Sequence, residues 1–285
     1  MNIYRSANRN TLIMLLIVFL SALMGIIVVF IRTNKNLSSV IETVDFQSLA
    51  VSCSDDIPYH NLTEAMNDPA SVCRLSLAGQ ELDAIPPETV NLSNLEELDL
   101  HGNKLSSLPP EIQNLKKLTR LDLGDNKFTS IPVEISALSN LEILEIGFNN
   151  IEIIPSWIGN LKNLRELAVN KNSISLFAPE IGKLTKLEVL EASDNKITVL
   201  APEIGKLTYL TGLHLHDNAL AFLPDEISEL SKLEVLDLSN NRLERLPESF
   251  SNLTALKELR LLGNNLEEEE MERVNNLFPH TNPSI

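Results

Sequence analysis

An asparagine recurs every 23 residues through most of the chain, and this period constrains the fold more than any other sequence feature. Eight asparagines keep the register without one insertion or deletion, and Gln80 stands one period earlier. A leucine lies five residues before each of these nine positions. Periods in this range are typical of solenoids, in which each repeat stacks on its neighbours. The asparagines are Asn103, Asn126, Asn149, Asn172, Asn195, Asn218, Asn241 and Asn264.

The repeating unit is L-x-x-L-x-L-x-x-N-x-L-x-x-L-P. Its L-x-L segment alternates apolar and polar residues, which predicts one short, half-buried strand in each repeat. Neighbouring strands are expected to pair in parallel at about 4.8 Å. The chain must then turn out of the sheet, and the turn leaves buried backbone groups that need partners. Because asparagine both donates and accepts, we predict that the eight asparagines form a structural ladder.

These repeats resemble leucine-rich repeats, in particular a bacterial-like 23-residue kind that contains "LPPEI", "IPVEI" and "APEIGKL". The resemblance implies an α/β solenoid, a horseshoe with a concave parallel sheet and with loops and short helical turns on its convex side. Nine repeats are expected over residues 72–266. The fold class predicted for the whole chain is this solenoid, capped at both ends, plus one N-terminal transmembrane helix.

Both ends of a solenoid need a cover, because a terminal repeat would otherwise expose its apolar core. Residues 36–71 are predicted to form a linker and an N-terminal cap, with a short helix over about 61–67. Residues 267–285 are predicted to form a C-terminal capping helix and tail. Met271, Val274 and Leu277 or Phe278 recur there at helical spacing, and Pro279 ends the helix.

Residues 11–31 are an uncharged apolar run, and as a helix they would span about 30 Å, the thickness of a bilayer core. Residues 1–35 are therefore predicted to anchor the chain in a membrane. A cleaved signal peptide is the alternative, although its apolar region is usually shorter and ends in small residues. Arg5 and Arg9 precede the run, and Arg32 and Lys35 follow it, so the positive-inside rule leaves the orientation open.

The chain has two cysteines, Cys53 and Cys73, just before the regular repeats. Such a pair beyond a membrane segment indicates a disulfide in an oxidising compartment. The alternative is two buried free thiols in the cytosol. With the disulfide, the chain is predicted to be a single-pass cell-membrane protein whose repeats lie outside the cytoplasm.

The formal net charge is −16, and beyond residue 35 there are 19 basic and 39 acidic residues. Such a domain repels nucleic acid and anionic lipid, so no nucleic-acid partner is expected and a basic partner is favoured. Sequence signatures of catalysis, such as G-x-S-x-G, H-E-x-x-H and phosphate-binding glycine loops, do not occur. We therefore expect no enzymatic activity and no cofactor.

The stretch "LHLHDNAL", residues 213–220, concentrates groups that could bind a metal. His214 and His216 fall on strand positions that face away from the core, and the register places His214 between Glu191 and Asp237. A row of carboxylate, histidine and carboxylate could hold a transition metal. Acids are common at this repeat position, however, so ordinary surface residues are the favoured interpretation and no metal site is expected.

The leading hypothesis is a membrane-anchored recognition module that binds a protein or peptide on an acidic concave face. The alternative is a structural envelope or adhesion protein without a defined ligand. Phe148 beside Asn149 is an exposed aromatic, the usual kind of binding anchor, although scattered surface hydrophobic residues are also normal. The predicted partner-binding residues are Asp99, Asp122, Ile143, Glu145, Phe148, Val189, Glu191, His214, His216 and Asp237.

Overall fold

The computed structural model describes residues 58–279 and residue 281. The chain divides into two compact units, Met1–Ser54 and Asp55–Ile285, and the described residues belong to the second. The predicted membrane anchor, most of the predicted linker and Cys53 lie outside the described residues. Within the described residues, no helix combines the length and the apolar character needed to cross a membrane.

Nine short strands form one parallel sheet, and two shorter strands form a second one. The nine-stranded order is β1-β2-β3-β4-β6-β8-β9-β10-β11, and β5 pairs with β7. The prediction of a leucine-rich repeat solenoid with a parallel sheet is confirmed. The strands are β1 (Arg74–Ser76), β2 (Glu97–Asp99), β3 (Arg120–Asp122), β4 (Ile143–Glu145), β5 (Ile153–Ile154), β6 (Glu166–Ala168), β7 (Leu176–Phe177), β8 (Val189–Glu191), β9 (Gly212–His214), β10 (Val235–Asp237) and β11 (Glu258–Arg260).

The register of the nine-stranded sheet is constant, because each residue pairs with the residue one period away. Leu75 pairs with Leu98, and Leu98 pairs with Leu121. These central leucines are at most 1% exposed, while the residues on either side of them point away from the core. Because the period is constant, the repeated L-x-L segments form continuous columns of side chains across the sheet.

The ladder asparagines bond the turns that follow the strands. Asn126 Nδ2 donates to the carbonyl oxygens of Leu100, Leu123 and Gly124 at 3.0–3.1 Å, and its Oδ1 accepts from Leu105 N at 2.9 Å. Each of the other seven asparagines also donates to carbonyls of its own and the preceding repeat and accepts one or two backbone N–H groups. These bonds supply partners to backbone groups that the turn removes from water.

Eight five-residue 3₁₀ helices are found among the described residues, one after the strand of each of the first eight repeats and directly after a proline or an alanine. In three central repeats they pack closely, because a Cβ atom on Gly159, Gly182 or Gly205 would lie 2.4–2.8 Å from a carbonyl oxygen of the next repeat. Among the described residues these helices are Pro87–Asn91, Pro110–Asn114, Val133–Ala137, Ser156–Asn160, Pro179–Lys183, Pro202–Lys206, Asp225–Glu229 and Glu248–Asn252.

The first repeat is covered by helix α1 (Leu62–Ala65) and by Tyr59. The helix is shorter than the predicted 61–67, and Asn61 caps it by accepting from Thr63 N at 2.8 Å. Tyr59 adds a parallel bridge beside Leu75, so the outer edge of β1 is partly paired. Cys73 is 5% exposed and is not a free thiol. Its predicted partner Cys53 lies outside the described residues, so the pair stays a prediction.

Helix α2 (Glu268–Leu277) closes the other end of the solenoid. Val274 and Phe278 are buried, and the Phe278 ring meets Phe250 edge-to-face with centroids 6.1 Å apart. Glu270 accepts from Leu246 N at 2.8 Å and from the Arg273 guanidinium at 2.6 Å. Burial raises the pKa of Glu270, but these two partners outweigh burial and hold it below its usual value. The helix therefore stabilises the last repeat through a buried ion pair as well as apolar contacts.

Candidate functional site

The candidate site is the outward face of the nine-stranded sheet, formed by the first and third residues of its strands and called here the concave face. Acids occupy five of the nine third-residue positions, namely Asp99, Asp122, Glu145, Glu191 and Asp237. Strand pairing places Asp99 beside Asp122, and Asp122 beside Glu145. Carboxylates on adjacent strands of a parallel sheet generate a continuous negative potential.

Four of these acids also bond the local backbone. Asp122 accepts from Gly124 N at 2.8 Å, and Asp99 accepts from His101 N at 3.0 Å. Glu191 and Asp237 make the equivalent bond at 3.1 and 3.0 Å. These carboxylates therefore bond the backbone where each strand ends, a role that their description as surface charges missed.

Asp237 is 4% exposed, so the prediction that it lies exposed on the concave face is wrong. Arg260 Nη1 contacts its Oδ2 at 3.1 Å, and Ser239 donates to its Oδ1 from both its backbone N and its Oγ. Burial raises the pKa of Asp237, but these hydrogen bonds and the nearby His216 outweigh burial and lower it. A partner on this face meets Arg260 there rather than a carboxylate.

Glu145 is half-buried at the last position of β4, where it pairs with Asp122 of β3. Arg120 Nη2 contacts Glu145 Oε1 directly. Burial, the charge of Asp122 and a hydrogen bond to Asp122 together raise the pKa of Glu145 to about 7, although Arg120 opposes them. The negative charge at this point of the concave face therefore depends on pH in the neutral range.

The apolar members of the predicted set are less exposed than expected. Ile143 and Val189 are half-buried on β4 and β8 rather than fully exposed. They supply half-buried apolar surface on the outward face, beside the acidic third-residue positions.

The histidines of "LHLHDNAL" lie where the register predicts. His214 pairs with Glu191 on one side and Asp237 on the other, and both histidines are half-buried instead of fully exposed. His216 Nδ1 lies 2.8 Å from Asp217 Oδ2. Burial lowers the pKa of His216, but the bond to Asp217 and the surrounding acids outweigh burial and raise it.

The groups that could bind a metal ion in the structure are not the row of Glu191, His214 and Asp237. They lie just after the strands end. Within the described residues, single ligand atoms of Asp194, His216 and Asp217 lie within 4.8 Å of one another. None of the three belongs to the row of Glu191, His214 and Asp237 that the sequence suggested, although His216 follows His214 on the same face. The group is partly exposed, and such groups are common on acidic surfaces without a bound ion.

One residue in every repeat, directly before the ladder asparagine or Gln80, has a left-handed backbone. The φ angles of this exit column lie between 50° and 77°. Glycine, aspartate and asparagine tolerate this region, whereas bulky side chains rarely enter it. The exit column consists of Gly79, Gly102, Asp125, Phe148, Lys171, Asp194, Asp217, Asn240 and Gly263.

Phe148 and Lys171 are the two exceptions in the exit column, and they are neighbours. Phe148 has a φ of 54° and is 47% exposed, and Lys171 Nζ lies 4.6 Å from the centre of its ring. The sequence singled out Phe148 as an exposed aromatic but missed its backbone strain. The composition of the column carries the signal, since its other members are glycine, aspartate or asparagine.

Comparisons with known proteins agree with this architecture. A family model described as a leucine-rich repeat region matches residues 120–217, and a second leucine-rich repeat model matches residues 71–128 and 208–266. No curated protein sequence matches the chain at a significant level.

Several solved structures are similar to this chain. A leucine-rich repeat protein of Leptospira interrogans is 35% identical, with a TM-score of 0.70 over 76% of this chain and 61% of that one. The ectodomain of the Arabidopsis thaliana membrane receptor kinase GASSHO1/SCHENGEN3, in complex with CASPARIAN STRIP INTEGRITY FACTOR 2, is 34% identical. Its TM-score is 0.61 over 69% of this chain and 25% of that one.

A third similar structure is an octameric complex of Latrophilin 3, Unc5D and FLRT2, in which FLRT2 is the leucine-rich repeat component. Its matched chain is 27% identical, with a TM-score of 0.64 over 73% of this chain and 65% of that one. This chain spans less than two thirds of each of the three structures.

Proposed function

Because the chain is a leucine-rich repeat protein, we propose that its concave face and exit column bind a protein or peptide partner. The observation that carries this proposal is the environment of Phe148. An exposed aromatic occupies a backbone conformation that most of the other repeats give to glycine, aspartate or asparagine. Within the described residues the Lys171 ammonium contacts the ring, but at such an exposed site this contact offsets the backbone strain at most in part.

The energetic argument compares strain with burial. A left-handed conformation costs a bulky L-residue on the order of 1 kcal/mol more than it costs glycine. A side chain that stays 47% exposed recovers only part of the hydrophobic gain of full burial. Strain of this kind, kept at one exposed aromatic, is typical of binding positions, and an aromatic anchor that becomes buried on association supplies much binding energy.

Charge defines the chemistry of the partner. Asp99, Asp122, Glu145 and Glu191 lie within two repeats of Phe148 and give that part of the face a negative potential. Arg120 and Lys171 offset it only in part. The partner that fits carries a basic patch around an apolar side chain, and the apolar side chain contacts Phe148.

Relatives with bound partners support a recognition role. The similar plant receptor ectodomain was solved with CASPARIAN STRIP INTEGRITY FACTOR 2, and FLRT2 was solved in an assembly with two other proteins. These partners are those of the similar proteins. The partner proposed for this chain is inferred from the charges and apolar groups of its own concave face.

The proposal includes an anchor and a compartment. Residues 1–35 hold the chain in the cell membrane, the repeats lie outside the cytoplasm, and Cys53 and Cys73 form a disulfide. Support comes from Cys73, which is buried and is not a free thiol, and from the similarity to the ectodomain of a membrane receptor kinase.

The test is site-specific photo-crosslinking of the full-length chain in intact cells, with a photoreactive phenylalanine analogue at position 148. We expect one saturable partner, and the same analogue at Tyr209 should not capture it. Tyr209 is a matched control because it is 52% exposed and lies 3.7 Å under Lys232 Nζ, but it is not on the concave face. Equal, unsaturable capture at both positions would instead support an envelope or adhesion protein without a defined ligand.

Once the partner is captured, rate measurements distinguish the contribution of the acidic residues from the contribution of Phe148. Association should slow as salt rises, because exposed charges act mainly on the on-rate. Phe148→Asn should speed dissociation with little dependence on salt, because a central apolar contact acts mainly on the off-rate. Tyr209→Asn should change neither rate, and a site away from the concave face would show the opposite pattern.

A further inference from the structure

Four exposed apolar side chains form a straight row on a side of the solenoid that the concave face does not include. Each lies four residues after its ladder asparagine, in four consecutive repeats. We call Ile153, Leu176, Val199 and Phe222 the flank stripe, and they are 53%, 53%, 39% and 56% exposed. Ser130 and Arg245 hold the equivalent positions in the repeats on either side. The stripe therefore has defined ends.

Strand pairing fixes the positions of two members of the flank stripe, Ile153 and Leu176. Ile153 pairs with Leu176, and Ile154 pairs with Phe177, in the two-stranded sheet of β5 and β7. Alternation along these strands buries Ile154 and Phe177 and turns Ile153 and Leu176 outward. The outward side chains are thus displayed on a paired, ordered backbone, and little conformational entropy remains to be lost on binding.

The residues just before the members of the flank stripe and two positions after them carry little charge. The residues directly before its members are Glu152, Ser175, Thr198 and Ala221, and the residues two positions after them are proline or alanine. Only one of these eight neighbours is charged, although 22% of the chain is charged. The largest continuous apolar patch on a protein surface is often a functional contact.

We propose that the flank stripe is a self-association surface, on which a second copy of the chain packs antiparallel about a two-fold axis between Leu176 and Val199. The axis places Leu176 of one copy against Val199 of the other, and Ile153 against Phe222. In each of these pairs a smaller side chain faces a larger one. An isologous contact of this kind closes on itself and yields a dimer.

The available area fits a dimer of moderate affinity. If each side chain exposes about half of roughly 150–200 Å², the flank stripe contributes about 350 Å² of apolar surface per copy. Two copies bury about 700 Å², and because homodimer interfaces are about 65% apolar, the full contact approaches 1,100 Å². That area lies just above the roughly 1,000 Å² expected of a specific interface.

Charge explains why a second copy fits this surface. Two chains that each carry a net charge of −16 repel one another across most of their surfaces, and the flank stripe offers a nearly neutral approach. The antiparallel arrangement also brings Arg245 of each copy to the end of the stripe where the other copy has Glu152. Arg245 has only a weak partner of its own, since Glu248 lies 3.7 Å away and both side chains are at least 75% exposed.

The test measures the molar mass of the full-length chain in detergent by sedimentation velocity across a concentration series. We expect a monomer–dimer equilibrium in the micromolar range, and Leu176→Asp should weaken it at least about tenfold, because it places a charge at the two-fold axis. Val199→Lys should weaken it similarly. An equimolar mixture of the two variants should recover a dimer, because each Asp then meets a Lys across the axis.

Leu262→Asp is the matched control, since Leu262 is 60% exposed and lies outside the flank stripe. It should leave the equilibrium unchanged, and all variants should melt as the unmodified chain does. A strictly monomeric chain overturns the proposal. So does a dimer that survives Leu176→Asp, which would assign association to another part of the chain. Failure of the mixture to recover the dimer overturns the antiparallel two-fold arrangement.

Discussion

The Lys171 ammonium lies 4.6 Å from the centre of the Phe148 ring, and both residues have left-handed backbone conformations. They are the two bulky members of an exit column that otherwise contains glycine, aspartate and asparagine. Neither residue type is suited to the left-handed backbone that the turn requires. Together they form a cation–π pair just after β4 and β6. The pair contributes about 0.5–1 kcal/mol at such an exposed site, less than or similar to the strain it accompanies.

Replacing the aromatic should therefore stabilise the isolated protein. Phe148→Asn should raise the free energy of unfolding by about 0.5–1 kcal/mol, because asparagine tolerates the left-handed region. Chemical denaturation measures this change. The reverse substitution, Asp125→Phe at the equivalent position one repeat earlier, should destabilise the fold. If Phe148→Asn lowered the free energy of unfolding, Phe148 would stabilise the fold, and the argument that it is a binding anchor would fail.

The ladder and the histidines of residues 213–220 should respond differently to mutation. Asn218→Ala should cost about 1–3 kcal/mol, because Ala192 O, Leu215 O and Ile197 N lose a buried or half-buried partner. Replacing His214 and His216 together with serine should change the melting temperature little at pH 8, where His216 contributes least charge. Thermal melts of both variants decide this. A larger loss from the histidine pair would assign the histidines a structural role that their contacts do not show.

Glu145 should make stability depend on pH. Its pKa is about 7 in the folded chain and about 4.5 in the unfolded chain, so between these values the folded chain holds a proton that the unfolded chain has released. The free energy of unfolding should therefore fall as pH rises from 5 to 8, by about 1–2 kcal/mol after screening by solvent.

The comparison with Glu145→Gln isolates that contribution. The variant should gain stability relative to the unmodified chain as pH rises, and the difference is read from denaturation midpoints at pH 5, 6, 7 and 8. His216 has a raised pKa and changes stability in the same direction, but it is present in both proteins and cancels. A difference that does not vary with pH would mean that Glu145 stays ionised.

The cysteine pair predicts a covalent link at the N-terminal end of the repeats. Alkylation of denatured, unreduced protein from its native compartment should modify neither Cys53 nor Cys73, and reduction should expose both to mass analysis. Loss of the bond should cost about 3 kcal/mol in the chain-entropy model. Two alkylated cysteines before reduction would remove the disulfide and weaken the predicted location outside the cytoplasm.

The period of the asparagines predicts the sheet, its register and the apolar core, because strict repetition leaves a stacked solenoid as the arrangement that buries the leucines of the repeated motif. The same alignment places His214 between Glu191 and Asp237 before any coordinates are considered. Positions in a column are thus readable from the period alone.

Burial within a column is not readable in the same way. Asp237 and Glu145 share one repeat position, yet Asp237 is buried under Arg260 with a lowered pKa, while Glu145 has a raised one. The burial of a residue in a column depends on whether a long side chain one repeat away covers it, and this in turn depends on the rotamer of that side chain. The left-handed exit column is also hard to read from the sequence, because Phe148 and Lys171 interrupt its glycine, aspartate and asparagine residues.

The asparagine ladder has a consequence for how such a chain can change length over generations. Each asparagine bonds only its own repeat and the repeat before it, so a recombination event that copies or excises one block of 23 residues restores every bond in register. The number of repeats can therefore change by whole repeats during evolution. Phe148 and Lys171 occur in one repeat each, and an excision that removes either one erases the pair while the remaining solenoid still closes.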